Sequence, residues 1–383
     1  MLPVYIIGAS RSPIAKVKRG DPNTSSIDSI DPRNLATQVL NDLFDKTSMQ
    51  MRDSIEFNFR MGSVISKALE PGMFHAPAKN FISKSRWNKH ACADALLPGA
   101  ACATGMLAVQ QGVTSILTGY ADFAITGGVD MMSRYPDRLV SRIFNDVCYN
   151  KTMAALSDIK ARQLGLTREH LDDYAALSYQ RAKDHINDHD LVPIHLKSQN
   201  EPVLTIDEGL LKILSPEAIK RYPPLDNCEL TSPATASKYG DAAAFLLLAS
   251  ERAVEEYSLK PIARIIGFAR HSEPNPEDFI IAPVWAILKA LDEERLTAYD
   301  IDMLELNEAF SSTVCATATV LEIPVSKINL WGGAIGTGHP IGATGAALLV
   351  KNITMLRKHG KRFGVVALCS AIAEGIACVI ERI

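Results

Sequence analysis

Residues 103–126, ATGMLAVQQGVTSILTGYADFAIT, align without a gap to residues 343–366, ATGAALLVKNITMLRKHGKRFGVV. Ala103, Thr104, Gly105, Thr114 and Phe123 are identical to Ala343, Thr344, Gly345, Thr354 and Phe363. A second pair, IIGASR at 6–11 and IIGFAR at 265–270, follows in the same order. Two similar helices can match by chance. Two matched pairs in one order imply a duplicated half, so the chain must fold as two related units. The first half is placed at 1–135 and the second at 256–383. An inserted domain occupies 136–240, and the chain returns to the first half near 230–255.

The local pattern argues α/β architecture. PVYIIGAS at the start reads as a strand. Leu35, Val39, Leu40 and Leu43 give residues 33–46 the spacing of an amphipathic helix. Residues 106–118 read as a helix, and Phe123–Thr126 as a strand ended by a break at Gly127–Gly128. From 137 to 235 the chain becomes more charged, with a helix at 168–187. The apolar run DAAAFLLLASERAVE at 241–255 reads as a helix. Strands are expected at 262–268 and 302–306, and a helix at 283–292.

Composition excludes several classes. With 383 residues and a net charge of −3, the chain is large enough for a full core and lacks the basic surface that nucleic acid requires. No run approaches 18 uninterrupted apolar residues, so no membrane span is expected. The seven cysteines are odd in number, widely spaced and never in CxxC. A disulfide framework or zinc site is not expected, and a reducing, cytoplasmic setting is.

Four segments could carry chemistry. Cys102 follows a Pro-Gly pair and precedes a helix. Helix N-termini favour a thiolate and offer free N–H groups to an oxyanion, so a nucleophile with a lowered pKa is one reading. A packed core thiol is the other. WGGAIGTGHPIGATG at 331–345 sets six glycines around His339, a candidate base. An incidental histidine in a glycine loop is the alternative, although no GxGxxG or GxxxxGK[ST] supports a nucleotide. Asn307 in LNEAFSS stands where a strand meets a helix and could hold a water or simply cap. Cys369 in VVALCSAIAEG follows an apolar strand and could be chemical or structural.

Taken in order, CATGMLAVQQG, ITGGVDMMSRYP, LNEAF, GGAIGTGHPIGATGA and ALCSAIAEGIA resemble the thiolase family, enzymes of coenzyme A thioesters. The resemblance runs from PVYIIGASRSPIAK to the last strand. It implies a five-layered α-β-α-β-α fold made of two βαβαβαββ halves with an inserted loop domain. It implies Cys102 as the acylated nucleophile and His339 as its base. His339 and a water on Asn307 would form one oxyanion site. Cys369 would move the proton at the α-carbon. The backbone N–H groups of Cys102 and Ala371 would form a second oxyanion site. Ser237, Met153 and Gly338 would contact the coenzyme A substrate, and Arg221, Lys220 or Lys212 its phosphates, although these three cations read equally as a solvated helix face. The implied reaction is thiolysis of a 3-ketoacyl-CoA or its reverse, a Claisen condensation. No metal or resident cofactor is implied, and a homodimer is expected from the short stretch between Met132 and Met153.

Three departures stand out. The family usually has glycine where this chain has Ala371, and a positive φ there would cost an alanine roughly 1 kcal/mol. Its usual His-Met-Gly reads Thr152-Met153-Ala154. Its small-residue coenzyme A segment reads Ser232-Pro233-Ala234-Thr235-Ala236-Ser237. These departures keep open a thiolase-like protein that binds acyl-CoA with weak or no thiolysis. A nucleotide-binding or scaffold protein reusing the fold is the reading from outside the enzyme class.

Overall fold

A computed structural model describes residues 3–18, 25–47, 56–64, 77–87, 91–96, 99–134, 150–197, 199–371 and 373–383. Its strands are β1 (Val4–Arg11), β2 (Ala15–Lys16), β3 (Phe57–Gly62), β4 (Ala91–Leu96), β5 (Phe123–Met131), β6 (Gly240–Ala249), β7 (Ala263–Ser272), β8 (Met303–Leu306), β9 (Phe363–Ser370) and β10 (Glu374–Arg382). The helices are α1 (Pro32–Thr47), α2 (Pro77–Ile82), α3 (Thr104–Leu117), α4 (Met153–Gln163), α5 (Arg168–Asp184), α6 (Pro216–Lys220), α7 (Glu251–Glu256), α8 (Ala282–Asp292), α9 (Ser311–Leu321), α10 (Ala334–Thr337) and α11 (Thr344–Lys358).

Strand pairing displays the duplication. The order is β4-β3-β5-β6-β1 on one side and β7-β10-β9-β8 on the other, joined where β1 meets β7. In the first set β3 and β5 are parallel, while β5–β6 and β6–β1 are antiparallel. The second set repeats this with β8–β9 parallel, β9–β10 and β10–β7 antiparallel. The repeated segments thus become α3–β5 and α11–β9, and the IIG pair becomes β1 and β7. Even the outer strand β4 has a counterpart, a single parallel bridge from Leu304 to Ile328.

Three core layers follow from the alternation along each strand. In β6, Ala243, Phe245 and Leu247 face α1, whereas Ala244, Leu246 and Leu248 face α3 and α11. In β10, Ile376, Cys378 and Ile380 share that central layer, while Ala377 and Val379 face α8. Helices α3 and α11 are therefore sandwiched between the two sets of strands, giving the α-β-α-β-α order.

Two local expectations are corrected. Residues 240–249 form a strand, and only Glu251–Glu256 is helical. All ten residues of β6 are buried, because it lies mid-sheet with helices on both faces. A continuous apolar run carries no period to separate strand from helix. Likewise β5 does not stop at Gly127–Gly128 but continues to Met131. Gly127 has φ 157°, and a Cβ there would lie 2.0 Å from the Ala244 carbonyl oxygen across the strand pair. Gly127→Ala is expected to cost about 3 kcal/mol, read by urea denaturation. An unchanged midpoint would contradict the close approach.

Among the described residues between Asn150 and Tyr239 no strand joins the sheet; this stretch carries α4, α5 and α6. Helix α5 has a capping box, in which Thr167 accepts from the His170 N–H and the His170 ring accepts from the Thr167 N–H. The segment between Met132 and Met153, on which the dimer expectation rests, lies largely outside the described residues. No helix among the described residues is long and apolar enough to cross a membrane.

Candidate active site

The duplication brings the two chemical loops together, since each precedes a central helix. Cys102 lies in a short 3-10 turn, Ala101–Ala103, that leads into α3. The turn is fastened from both halves. The Ala100 N–H donates to Thr104 Oγ1 at 2.8 Å, and Thr104 Oγ1 donates to the Ala101 carbonyl at 2.6 Å. From the other half, Ser370 Oγ donates to the Ala100 carbonyl at 2.8 Å. Cys369, one residue earlier, is buried near the end of β9. His339 stands in the loop that enters α11, with its Nδ1 2.7 Å from Thr344 Oγ1.

Cys102, His339, Cys369 and Ala371 line one cavity of about 210 Å³. Its walls are mostly apolar and include Met153, Leu225, Phe279, Phe310 and Ile341. Phe279 and Phe310 meet edge to face, their centroids 6.3 Å apart. Ser237 also lines this cavity, where its N–H donates to the Ala309 carbonyl at 3.0 Å. Bridges from Ala236 to Phe310 and from Tyr239 to His339 thread residues 236–239 along the wall. Thr152 replaces the family's histidine at the rim and caps α4, accepting from the Ala155 N–H at 3.1 Å.

Two of the expected site residues border a neighbouring space instead. Asn307 and Gly338 line a smaller cavity of about 30 Å³ with Arg11, His189 and Lys351. Asn307 is buried, and neither amide atom has a partner among the described residues. Buried amides are ordinarily paired, so this side chain is set to hold a water or a substrate oxygen. Arg221 lines neither cavity. It is exposed at the C-terminus of α6, four residues before Leu225.

Electrostatics correct the expected thiolate. Burial pushes the Cys102 thiol up to about 12, outweighing the N–H groups of Cys102 and Ala371 that favour the charged form; Asp130 raises it further. Part of Cys102 faces the cavity, yet protein surrounds its sulfur, so desolvation decides the direction. Burial also raises the Cys369 thiol, and a charge on Cys102 would raise it more. His339 is pushed down to about 4 by burial. The resting pair is therefore a thiol and a neutral imidazole, with the proton still to be moved. A depressed histidine contributes stability fully above its unfolded value of 6.5, and that stability is lost as pH falls toward 4. Between pH 7 and 4.5 the wild type is expected to lose about 2 kcal/mol more than His339→Asn in urea denaturation. Parallel losses would contradict a buried neutral ring.

The strain expected at Ala371 is found elsewhere. Ala371 has no positive φ; beside the two chemical loops the left-handed backbone falls instead at Ala101, φ 45°, and Ala373, φ 55°. Alanine can thus present its N–H to the Cys102 sulfur without the penalty foreseen for it.

Two buried carboxylates brace the glycine loop, and neither was singled out from sequence. Asp130 of β5 accepts from Ser63 Oγ at 2.9 Å, from the Val64 N–H at 3.1 Å, and from the Gly342 N–H. Glu308 accepts from Tyr174 Oη at 2.6 Å, Ser178 Oγ at 2.8 Å, Asn329 Nδ2 at 3.0 Å and the Ile335 N–H at 3.0 Å. A Cβ on Gly333 would lie 2.5 Å from the Glu308 carboxyl carbon, which explains a glycine there. Glu308 adjoins Asn307 in the LNEAF motif, and that adjacency was the available signal.

Two thiols and a neutral imidazole on one apolar cavity are suited to acyl transfer through cysteine. Similarity to known proteins makes the class specific. Residues 4–252 match the model "Thiolase, N-terminal domain" and residues 259–382 match "Thiolase, C-terminal domain". The chain belongs to the thiolase family. It is 30% identical to "Acetyl-CoA acetyltransferase IA" of Candida tropicalis, covering 100% of this chain and 98% of that one. It is 32% identical to a "Probable acetyl-CoA acyltransferase" of Staphylococcus aureus, covering 83% and 86%. The crystal structure of the Bacillus anthracis acetyl-CoA acetyltransferase superposes with a TM-score of 0.88 at 25% identity, covering 100% and 99%. A thiolase from Ascaris suum in complex with coenzyme A gives 0.86 at 27% identity, covering 100% of both chains.

Proposed function

We propose that this chain is an acyltransferase that cleaves 3-ketoacyl-CoA with coenzyme A, or runs the reverse condensation, through an acyl group on Cys102. The observation that carries the reading is the shared cavity of Cys102, His339 and Cys369. His339 takes the Cys102 proton as sulfur attacks the C3 carbonyl. The N–H groups of Cys102 and Ala371 receive the oxyanion. The C2–C3 bond then breaks, its electron pair passes to C2, and Cys369 protonates that carbon as acetyl-CoA leaves. A water on Asn307, with protonated His339, stabilises the enolate oxygen. Free coenzyme A gives its thiol proton to the deprotonated Cys369 and attacks the acyl carbonyl; the carbon–sulfur bond to Cys102 breaks, and the leaving sulfur recovers its proton from His339.

Ser237 and Met153, on the cavity wall, are assigned to the pantetheine end. The exposed Lys212, Lys220 and Arg221 are assigned to the phosphates, on the basis that Leu225 connects their segment to the rim. No step in this scheme calls for a metal or resident cofactor. A cytoplasmic homodimer is part of the proposal; a tetramer in sedimentation would overturn that part.

The alternative is acyl-CoA binding without turnover, motivated by Thr152 and Ala371. The placement of the Ala371 N–H toward Cys102 favours the active reading. Incubation with acetoacetyl-CoA alone should leave an acetyl group on Cys102, read by peptide mass spectrometry. Binding without any acylated peptide would support the alternative.

A further inference from the structure

The hydroxyl of Thr344 makes two contacts. It donates to the Pro340 carbonyl at 3.0 Å and lies 2.7 Å from His339 Nδ1. A hydroxyl has one hydrogen and two lone pairs. With that hydrogen on Pro340, the oxygen can only accept from the ring, so Nδ1 must carry the ring's hydrogen. A neutral imidazole has only one such hydrogen. Its Nε2 is left as a lone pair, and that atom is buried with no partner among the described residues. Both residues are nearly inaccessible, so no bulk water competes for Nδ1.

The other half of the molecule uses the same arrangement. Thr104 occupies the duplicated position of Thr344. Its hydroxyl also accepts from one N–H upstream, that of Ala100, and also donates to a carbonyl one turn back, that of Ala101. In one half this hydroxyl holds the turn of Cys102, and in the other it holds the ring of His339.

We propose that Thr344 is a positioning residue that fixes the Nδ1–H tautomer of His339, leaving Nε2 free to accept the Cys102 proton. The catalytic purpose rests on the reading of His339 as the base. In the opposite tautomer Nε2 would carry hydrogen and could accept nothing from the thiol. Valine at 344 keeps the shape but removes the acceptor, whereas serine keeps the acceptor.

The test uses full-length protein labelled with 15N-histidine, with His339 assigned by its loss in His339→Gln. The wild type should show a protonated Nδ1 and an unprotonated Nε2. In Thr344→Val the Nε2–H form should appear, and kcat for acetoacetyl-CoA thiolysis should fall about 10²-fold with KM little changed. Thr344→Ser should restore both spectrum and kcat. An Nε2–H tautomer in the wild type overturns the proposal even if Thr344→Val does not fold. Wild-type kcat in Thr344→Val also overturns it. Turnover retained by His339→Gln would instead overturn the base reading, while the spectrum still judges the Thr344 contact.

Discussion

Cys102→Ser is expected to abolish labelling of the protein by radioactive acetyl-CoA and to lower thiolysis by at least about 10⁴-fold. The substitution exchanges sulfur for oxygen at nearly constant shape, and the turn around it is held by backbone and by Thr104 and Ser370. The fold should therefore survive. What disappears is the nucleophile. A hydroxyl is far harder to deprotonate than a thiol, and the neutral His339 beside it must already work against a thiol raised to about 12. Labelling that persists in Cys102→Ser would place the acyl group on another residue.

Cys369→Ala should separate the two half-reactions. Acylation of Cys102 by acetyl-CoA needs the nucleophile, its base and an oxyanion site. None of these is Cys369. Carbon–carbon bond formation also needs a proton removed from the α-carbon, and cleavage needs one returned. Loss of such a group costs about 10² to 10⁴-fold. Condensation and thiolysis should fall by about 10³-fold in Cys369→Ala while acetyl labelling of Cys102 remains. Labelling and condensation that fall together would show that Cys369 serves acylation instead. The two thiols come from different halves of the duplication, and Ser370 fastens one loop to the other. A Ser370→Ala control should therefore be assayed beside Cys369→Ala, to separate a displaced turn from a lost proton carrier.

Much of the architecture was legible because duplication leaves a trace that needs no structure. The pair at 103–126 and 343–366 became α3–β5 and α11–β9, and the pair at 6–11 and 265–270 became β1 and β7. Features set by three-dimensional neighbours were not legible. The apolar run at 241–249 became strand β6 because sheet neighbours and helices surround it on every side. Gly127 read as a break, yet it permits β5 to approach β6. One of the two readings of Cys102 has its thiol acidified by the helix. That reading counted the N–H groups and could not count the desolvation that outweighs them. Ala371 attracted attention as a departure from glycine, but the left-handed backbone falls at Ala101 and Ala373. The braces Asp130 and Glu308, with three and four donors, do not differ in a linear sequence from solvated carboxyls, and only the adjacency of Glu308 to Asn307 in LNEAF hints at a role.

The central claim is that this cavity performs thiolysis. Purified protein is mixed with acetoacetyl-CoA and free coenzyme A, and the enolate absorbance is followed. The account predicts coenzyme A-dependent loss of that absorbance with two acetyl-CoA formed per acetoacetyl-CoA consumed, and no such loss in Cys102→Ser. No turnover by the wild type with acetoacetyl-CoA or a longer 3-ketoacyl-CoA would contradict it.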